Sequence, residues 1–370
     1  MKARLAILTP GGLGAGINGQ GVPVLMQIVS HLAKQYEVDV FSHAFVTKSI
    51  ENVSFHFAPQ WITNSLLRWI YLKLSFLKNH FKKKYNLLFA FWGYPSGALA
   101  VSLGRVLNTP SLVYLLGGES ASVPEIKYGL MRNSFRRYMV LKTCKHVTVL
   151  MGLTNFQVDR LRRQGVDRKI EVIPIGADRA LFRPSEKKMD EVLKIIHVAN
   201  ITPVKDQATL VRAFAIIKSE INARLRIVGP DFMNGRIQAL AEELNLSDAI
   251  EFVGWKSYNE IPSLLSDANC FMLTSLSEGQ NDSITEAMTC GLLAVSTRVG
   301  IMSDLGGEFG VVCDIGDYQS LASGLISVFK NPQQWKRKTD KSCTWALEHD
   351  LTWTLNRITE QIEIALKQKS

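Results

Sequence analysis

The 370-residue chain has no uninterrupted apolar run approaching the roughly 18 residues of a membrane-spanning helix. Its N-terminal stretch, MKARLAILTPGG, is too short in apolar residues for a secretion signal and reads as a first strand. Cysteine is scarce. The five present (Cys144, Cys270, Cys290, Cys313 and Cys343) are odd in number, widely spaced and form no C-x-x-C. That argues against a disulfide framework and a zinc site and suits a reducing cytoplasm. Short repeats and low-complexity tracts are absent as well. What remains is a globular composition, 46% hydrophobic and 21% charged with a mean hydropathy of +0.05, which excludes a disordered or collagen-like chain. At roughly 150 residues per domain, the length suggests two or three domains.

Acid is missing from long parts of the first half. Residues 1–178 carry 22 Lys and Arg against 9 Asp and Glu, whereas the remaining 192 carry 21 against 24. No acid occurs between Glu51 and Glu119, a span that holds Arg68, Lys73, Lys78, Lys82, Lys83, Lys84 and Arg105. A second acid-free stretch, between Glu125 and Asp159, holds Lys127, Arg132, Arg136, Arg137, Lys142 and Lys145. The net charge of +10 therefore comes from the N-terminal half alone, and it points to an anionic partner. A solvated basic face without a partner is the plain alternative.

Short β-rich runs alternate with helical stretches throughout: ARLAIL, EVDVFS, LLFAFW, SLVYLL, HVTVLM and IEVIPI, then LKIIHVAN, ARLRIVG, AIEFVG, CFMLTS, LLAVST and GVVCD. This is the pattern of an α/β fold with parallel sheets. Twelve strands exceed one comfortable doubly wound sheet, so two Rossmann-like domains are expected. The boundary is expected within residues 173–190, where Pro174, Gly176 and Pro184 punctuate the chain and Ser185–Asp190 reads as linker. The residues from Cys343 onward read as a closing helix.

Two segments can carry chemistry. Six of the eleven residues from Gly11 to Gly21 are glycine, between the first strand and a helical pattern over Val22–Lys34. Such a turn lets backbone N–H groups approach a phosphate at a helix N-terminus. Gly14, Gly16 and Gly19 also satisfy G-x-G-x-x-G, with Asp39 twenty residues on, which opens a dinucleotide-binding reading. Against it, Asp39 sits inside its strand instead of ending it, and the loop is long. The second segment is CFMLTSLSEGQNDSITEAMTCGLLAVST, residues 270–297. It reads as a strand, a polar loop with Glu278 and Gly279, and a helix from near Ser283 with Glu286 on its first turn. On one continuous helix the two acids would stand about 80° apart. With Glu278 on the loop, both can face one cleft at the strands' carboxyl ends. Carboxylates there can accept hydrogen bonds from neighbouring hydroxyls of a polyol, while loop amides suit phosphate. The competing explanation for Glu286 is a capping box, Ser283-x-x-Glu286.

That string resembles the E-x7-E signature of retaining, nucleotide-sugar-dependent glycosyltransferases of family four, the group 1 glycosyltransferases, which have the GT-B fold. VIPIGADRALFRP (172–184), HVANITPVKDQATLVRAF (197–214), EFVGWKSYNEIPSLLSDAN (251–269), STRVGIMSDL and GVVCDIGD are similar to the family's segments in place and spacing. The resemblance implies two Rossmann-like domains with a donor cleft between them: 1–175 for the acceptor and 176–345 for the nucleotide sugar. A final helix, about 346–370, is implied to pack back on the first. It implies that Glu278 holds the transferred sugar, Glu286 the donor ribose, and Lys205 the diphosphate. Gly14 and Gly16 of the glycine loop, with Gly279, Gln280, Asn281, Asp282 and Ser283, would assist at phosphate or sugar. Front-face attack with retention is implied, with neither cofactor nor metal. The family's usual arginine and histidine are replaced here by Asn200 and Leu116, with Arg298 a possible substitute for the arginine. Glu119 is a possible sugar contact, or otherwise a solvated loop acid.

Residues 65–84 read as a basic amphipathic helix with Leu66, Ile70, Leu74, Leu77 and Phe81 on one face. Lys73, Lys78, Lys82, Lys83, Lys84 and Trp69 are the expected contacts to an anionic membrane, unless the apolar face packs on the sheet. The expected function is a metal-independent glycosyltransferase, peripheral on the inner face of the cell membrane and serving cell-envelope or exopolysaccharide assembly. Its partners would be a nucleotide-sugar donor and a glycan or lipid-linked acceptor, not nucleic acid. The alternatives are a non-catalytic sugar-nucleotide-binding scaffold and an NAD-dependent or epimerase-type enzyme.

Overall fold

The computed structural model describes residues 2–14, 21–185 and 191–368. The chain divides into two compact units. The first comprises Met1–Ser122, Gly129–Ile173 and Leu355–Ser370; the second comprises Val123–Tyr128 and Pro174–Thr354. Most of the segment expected as linker, residues 186–190, lies outside the described residues, as do Gly16 and Gly19.

In the first unit the strands are β1 (Arg4–Thr9), β2 (Glu37–Ser42), β3 (Val53–Phe57), β4 (Leu87–Phe91), β5 (Ser111–Tyr114), β6 (Val149–Gly152) and β7 (Glu171–Val172). They form one parallel sheet in the order β3-β2-β1-β4-β5-β6-β7. Helices α1 (Pro23–Gln35), α2 (Ser65–Lys82), α3 (Ala98–Val106), α4 (Ser134–His146) and α5 (Asn155–Arg162) connect them. Strand β4, LLFAF, is buried at every residue, as expected for a parallel strand covered on both faces. Strand β3 was not expected from the sequence. It is a half-exposed edge strand, VSFHF, whose Ser and His dilute the apolar signal.

Helix α2 corrects the expectation of a single apolar face. Asn64 caps it, accepting from the Leu66 and Leu67 amides at 2.9 and 3.2 Å. The side chains it buries are Leu72, Phe76 and His80, with Trp69 and Leu77 partly packed beside them. Trp69, an expected membrane contact, stacks on His43 with ring centroids 5.0 Å apart. Leu66, Ile70, Leu74 and Phe81 face outward at 69%, 45%, 60% and 75% exposure. The helix is therefore apolar on two faces, and the stripe that sequence periodicity singled out is mainly the one left uncovered.

The dinucleotide reading also fails on structure. Helix α1 begins only at Pro23, with proline in its first turn, while Val22 N–H donates to Gly12 O at 2.7 Å. Asp39 lies in mid-strand, paired in register with Ala6 and Ser54, far from the strand end where a ribose acid belongs. Its carboxylate takes the Arg4 guanidinium at 2.5 Å and the Tyr85 hydroxyl at 2.7 Å, with His56 at 3.5 Å. Arg4 in turn lies over the Tyr85 ring, 4.2 Å from its centroid. This is a structural ion pair.

In the second unit the strands are β8 (Leu193–Val198), β9 (Ala223–Val228), β10 (Ile250–Gly254), β11 (Cys270–Leu273), β12 (Leu293–Thr297) and β13 (Gly310–Cys313), in the order β10-β9-β8-β11-β12-β13. Helices α6 (Gln207–Glu220), α7 (Arg236–Glu243), α8 (Ile261–Ser266), α9 (Asp282–Thr289), α10 (Gly300–Leu305), α11 (Tyr318–Phe329) and α12 (Pro332–Glu348) surround that sheet. Leu210, Phe214 and Ile217 of α6 pack with Leu321 and Leu325 of α11 in one core. Ile284 and Met288 of α9 pack with Ala346 of α12 in the other. The closing helix expected from Cys343 onward is in fact two, since the chain breaks at His349 and Asp350 before α13 (Leu351–Lys367). The later part of α13 groups with the first unit, where Glu363 accepts from the Tyr36 hydroxyl at 2.5 Å.

The Asp39 pair carries a pH signature. Burial raises its pKa, but hydrogen bonds from His56 and Tyr85 and the Arg4 charge outweigh that and hold it at about 2. A depressed folded pKa stabilises above the unfolded value near 4, and that stability is lost as pH falls toward the folded value. Asp39→Asn should cost on the order of 2 kcal/mol at neutral pH. In urea denaturation, the gap between variant and wild type should close as pH falls from about 4.5 to about 2. A gap unchanged across that range would remove the ion pair from the account.

Candidate active site

The second unit's strand order reverses between β8 and β11, and ligands in such sheets bind beyond the strands' carboxyl ends at that reversal. The loops leaving these two strands carry the predicted residues. Lys205 ends a short 3-10 turn after β8, followed by Asp206, which caps α6 from a left-handed conformation with φ of 46°. Thr274 fixes this turn by donating its hydroxyl to the carbonyls of Lys205 and Asp206 at 3.1 and 2.8 Å. Across the reversal, Glu278 follows β11.

Lys205 Nζ meets Glu278 Oε1 at 2.6 Å, with the two side chains 21% and 11% exposed. The same oxygen also accepts from Ser275 Oγ at 2.6 Å and Asn281 Nδ2 at 3.1 Å. Three donors therefore converge on one carboxylate oxygen, fixing a cation and an anion side by side at the mouth of the sheet. A charged donor–acceptor contact of this kind is roughly twice as strong as a neutral one. Helix α9 begins at Asp282, and Asn281 is its cap, accepting from Ile284 N at 3.0 Å. Glu286 is consequently the fifth helical residue, beyond the first turn where it was expected. The Ser283-x-x-Glu286 capping box is not what this helix uses.

Glu286 is only 8% exposed and shares a side-chain hydrogen bond with Tyr258. Burial, then the neighbouring Asp282 charge, pushes its carboxyl up to about 8, against the lowering effect of that bond. Asp282 is pushed up to about 6, by burial and then by Glu278, with Lys205 opposing. Tyr258 is raised as well, first by burial and then by Glu286. Lys205, Glu278, Asp282, Glu286 and Tyr258 thus form one electrostatically linked group. Clustered acids with raised pKa values at a sheet's carboxyl edge mark a functional site better than isolated ones.

Gln280 has a different occupation. Its side chain accepts from Ile175 N at 2.7 Å and donates to Ile175 O at 2.6 Å and Thr285 Oγ1 at 3.1 Å. It fastens the site loop to the chain's entry into the unit. The Gln280 carbonyl accepts from Ile301 N, and a Cβ on Gly300 would lie 2.2 Å from that same oxygen, so the position requires glycine. Behind Lys205, His197 is fully buried, and burial drives its pKa down to about 4. The neutral ring donates from Nδ1 to Met272 O at 2.8 Å, leaving Nε2 to accept from Gln207 Nε2 at 3.1 Å. Gln207 also donates to Asn200 O at 3.0 Å, so the residue that replaces the family arginine is held by its backbone. Arg298, the proposed substitute, is 52% exposed and reaches Asp314 at 3.4 Å.

Two other predicted contacts belong to the first unit. Gly14 O accepts from the Thr47 hydroxyl at 2.8 Å, in a left-handed position with φ of 58°. Glu119 is 1% exposed, which corrects the expectation of a solvated loop acid. Its carboxylate accepts from the amides of Gly93, Leu116 and Gly117 at 3.1, 3.3 and 2.8 Å. Both oxygens hold the chain around Leu116. Sequence reading assigned no role to Tyr258, Ser275 or His197. A residue-by-residue search for N-caps would have found Asn281 before Asp282-Ser283. The others carry no local signal, because their roles depend on contacts across the sheet.

Comparison with known proteins fits this geometry. The family described as glycosyl transferases group 1 matches residues 178–343. The N-acetyl-alpha-D-glucosaminyl L-malate synthase of Bacillus anthracis is 32% identical over 143 residues, 38% of this chain and 36% of that protein. An Escherichia coli UDP-Gal:alpha-D-GlcNAc-diphosphoundecaprenol alpha-1,3-galactosyltransferase is 26% identical over 300 residues, 75% of each chain. The first relatives are matched over only 36% to 52% of their own length. The solved structure of Anabaena HepE in complex with UDP and glucose superposes with a TM-score of 0.77 at 16% identity, covering 98% of this chain and 99% of that one. Residues 178–343, most of the second unit, therefore match the group 1 glycosyltransferase family, and the chain has the GT-B fold.

Proposed function

We propose that this chain is a retaining glycosyltransferase, moving a sugar from a nucleotide diphosphate to a glycan or lipid-linked acceptor at the cytoplasmic membrane face, in cell-envelope or exopolysaccharide assembly. The observation that carries the reading is the linked group of Lys205, Glu278, Asp282 and Glu286. Lys205 supplies a fixed cation for the diphosphate as the leaving group takes up charge, an electrostatic role that needs no metal. Glu278 accepts from the sugar hydroxyls, displacing Ser275 and Asn281, and Glu286 accepts from the ribose. Attack comes from the face the leaving group vacates, and the departing phosphate takes the acceptor's proton. The UDP bound to HepE and the lipid-diphosphate acceptor named for the E. coli relative support the donor and acceptor classes.

Helix α2 supports membrane contact. No helix among the described residues is long and apolar enough to cross a membrane. The exposed stripe of Leu66, Ile70, Leu74 and Phe81 is instead shaped to lie on one, with Trp61 80% exposed just before it. Lys73, Lys78, Lys82 and Lys84 are exposed beside the stripe and enter no ion pair among the described residues, whereas Lys83 meets Glu37 at 2.5 Å. Lys83 is therefore the weakest of the five expected membrane lysines.

The donor site makes an unusual prediction for Glu286. Its folded pKa of about 8 lies far above the unfolded value, so its contribution to stability falls as pH rises above about 4.5. Glu286→Gln should match or exceed the wild type's melting temperature at pH 8, yet bind UDP-, GDP- or ADP-sugar at least about tenfold more weakly. Wild-type donor affinity should climb as pH rises from about 6 to about 8, and calorimetry should show that slope missing in the variant. A less stable variant with unchanged affinity would overturn the ribose role. Lys205→Ala should lower turnover by roughly 100- to 1,000-fold with a smaller effect on donor binding. Nucleotide release that EDTA abolishes would count against the metal-free mechanism, and release no greater than that of the Lys205→Ala variant would favour a non-catalytic scaffold.

For α2, changing Lys73, Lys78, Lys82 and Lys84 to Gln should reduce co-sedimentation with anionic vesicles and leave donor affinity intact. Raising salt from about 0.1 to 0.5 M should release much of the wild type as screening shortens. Leu74→Ser with Phe81→Ser should remove what binding survives at high salt. Equal sedimentation of wild type and variants would remove α2 from the membrane reading.

A further inference from the structure

In the first unit, away from every residue given a role above, helices α3 and α4 enclose a groove of about 440 Å³. That is within the range of about 300–1,000 Å³ typical of small-molecule sites. Its walls carry Ala98, Val101 and Val106 from α3 and Met139 from α4, with the hydroxyls of Ser102 and Thr143 between them. At the C-terminal ends of both helices the lining becomes cationic, with Arg105, Lys142 and His146. A neighbouring hollow of about 640 Å³, which shares Lys142 and His146, adds Lys145 and Arg168. The structure therefore pairs an apolar channel with a cationic end.

These charges are largely uncompensated. Arg105, Lys142 and Lys145 enter no ion pair among the described residues, and Lys142 lies only over the Tyr138 ring, 5.6 Å from its centroid. Arg168 differs, since its guanidinium caps α4 by donating to the carbonyls of Cys144 and Thr148 at 3.1 and 3.0 Å and also to Val147. A helix C-terminus attracts cations by its dipole, which is the ordinary explanation for basic residues there. The pKa of His146 is lowered, first by desolvation and then by Arg105, Lys145, Lys142 and Arg168, so these four cations stand close enough to share one anion with it. The one acid lining these hollows is Asp167. Val106 in the groove and Tyr138 in the neighbouring hollow stand 83% and 58% exposed.

We propose that this groove binds one anionic phospholipid, its phosphate held by Arg105, Lys142, Lys145 and His146 and its acyl chain laid between α3 and α4. A free phosphate would use only the cationic end, and nothing in its chemistry would call for the apolar channel. The site lies beside β5 and β6 at the ends of α3 and α4, opposite the carboxyl edge where Glu119 folds back. It is thus a lipid anchor at the opposite edge of its own sheet from Glu119. It deepens the membrane reading without depending on the α2 face.

Soluble probes separate the two. Dihexanoyl phosphatidic acid, below its micelle concentration, should bind the full chain at least tenfold more tightly than glycerol 3-phosphate. Arg105→Gln with Lys142→Gln should weaken it at least tenfold. Ser102→Phe, which fills the groove and leaves the cations in place, should bring phosphatidic acid down to the affinity of glycerol 3-phosphate. The His146 ring, followed by NMR, should titrate at higher pH with the lipid bound, because the phosphate offsets its cationic neighbours. The α2 variant lacking Lys73, Lys78, Lys82 and Lys84 should bind the probe like the wild type. Equal affinity for phosphatidic acid and glycerol 3-phosphate would reduce the site to a free-anion site and overturn the proposal. So would no binding, or a loss seen in the α2 variant and not in the Arg105, Lys142 variant.

Discussion

A buried carboxyl with no cation of its own is the constraint around which the second unit's site is arranged. Glu286 faces Asp282 and the Tyr258 phenol, and burial holds its pKa near 8. Such a group weakens the fold at neutral pH, since the folded state binds a proton that the unfolded state releases. A core-facing apolar residue would serve the helix better. That α9 keeps glutamate there, while Ile284, Ala287 and Met288 supply the packing, separates the helix's structural face from its chemical one. The ion pair one loop away has the converse character. Lys205 and Glu278 satisfy each other now, so a diphosphate sugar would exchange one set of charged contacts for another instead of filling an empty polar pocket.

Most of the architecture was legible because parallel strands covered on both faces read as short apolar runs. Twelve strands stand where such runs occur, and the thirteenth, β3, escaped because a half-exposed edge strand with Ser and His has no such run. Helix α2 shows the limit of periodicity. Leu66, Ile70, Leu74 and Phe81 recur at helical spacing, but so do Leu72, Phe76 and His80, and only tertiary packing decides which stripe is covered. In the site, Glu278 and Glu286 stood out by their spacing, whereas Lys205 stood out only through the family resemblance. The occupation of Gln280 with Ile175, 105 positions away, was not legible, because no local spacing encodes it. The same holds for Tyr258 against Glu286, which only folding brings together.

The positive charge of the first unit has two physical populations. Arg4 and Arg168 are engaged inside the fold, on Asp39 and on the carbonyls that end α4, and Lys83 is paired at the surface with Glu37. Lys73, Lys78 and Lys82 on α2, and Arg105, Lys142 and Lys145 on α3 and α4, have no such partners among the described residues. Net charge alone cannot separate these groups. Once they are separated, the unpaired cations are found beside exposed apolar side chains, on helices that cover one face of the same sheet. A merely solubilising surface needs no apolar companion to its charges.

Three buried acids show how environment, more than burial, separates structural from chemical roles. Asp39 has a guanidinium and a phenol hydroxyl in contact, and its pKa falls to about 2 despite desolvation. Glu119 has no cation, yet three backbone amides occupy its oxygens, so its carboxyl is an internal staple for the turn at Leu116 to Gly118 even though burial raises its pKa. Glu286 has one phenol and a second acid nearby, and its pKa rises to about 8. Of the three, only Glu286 has a second acid contributing to its raised pKa. Donors that hydrogen-bond to its oxygens favour the carboxylate form that burial disfavours, as the guanidinium and the phenol do for Asp39.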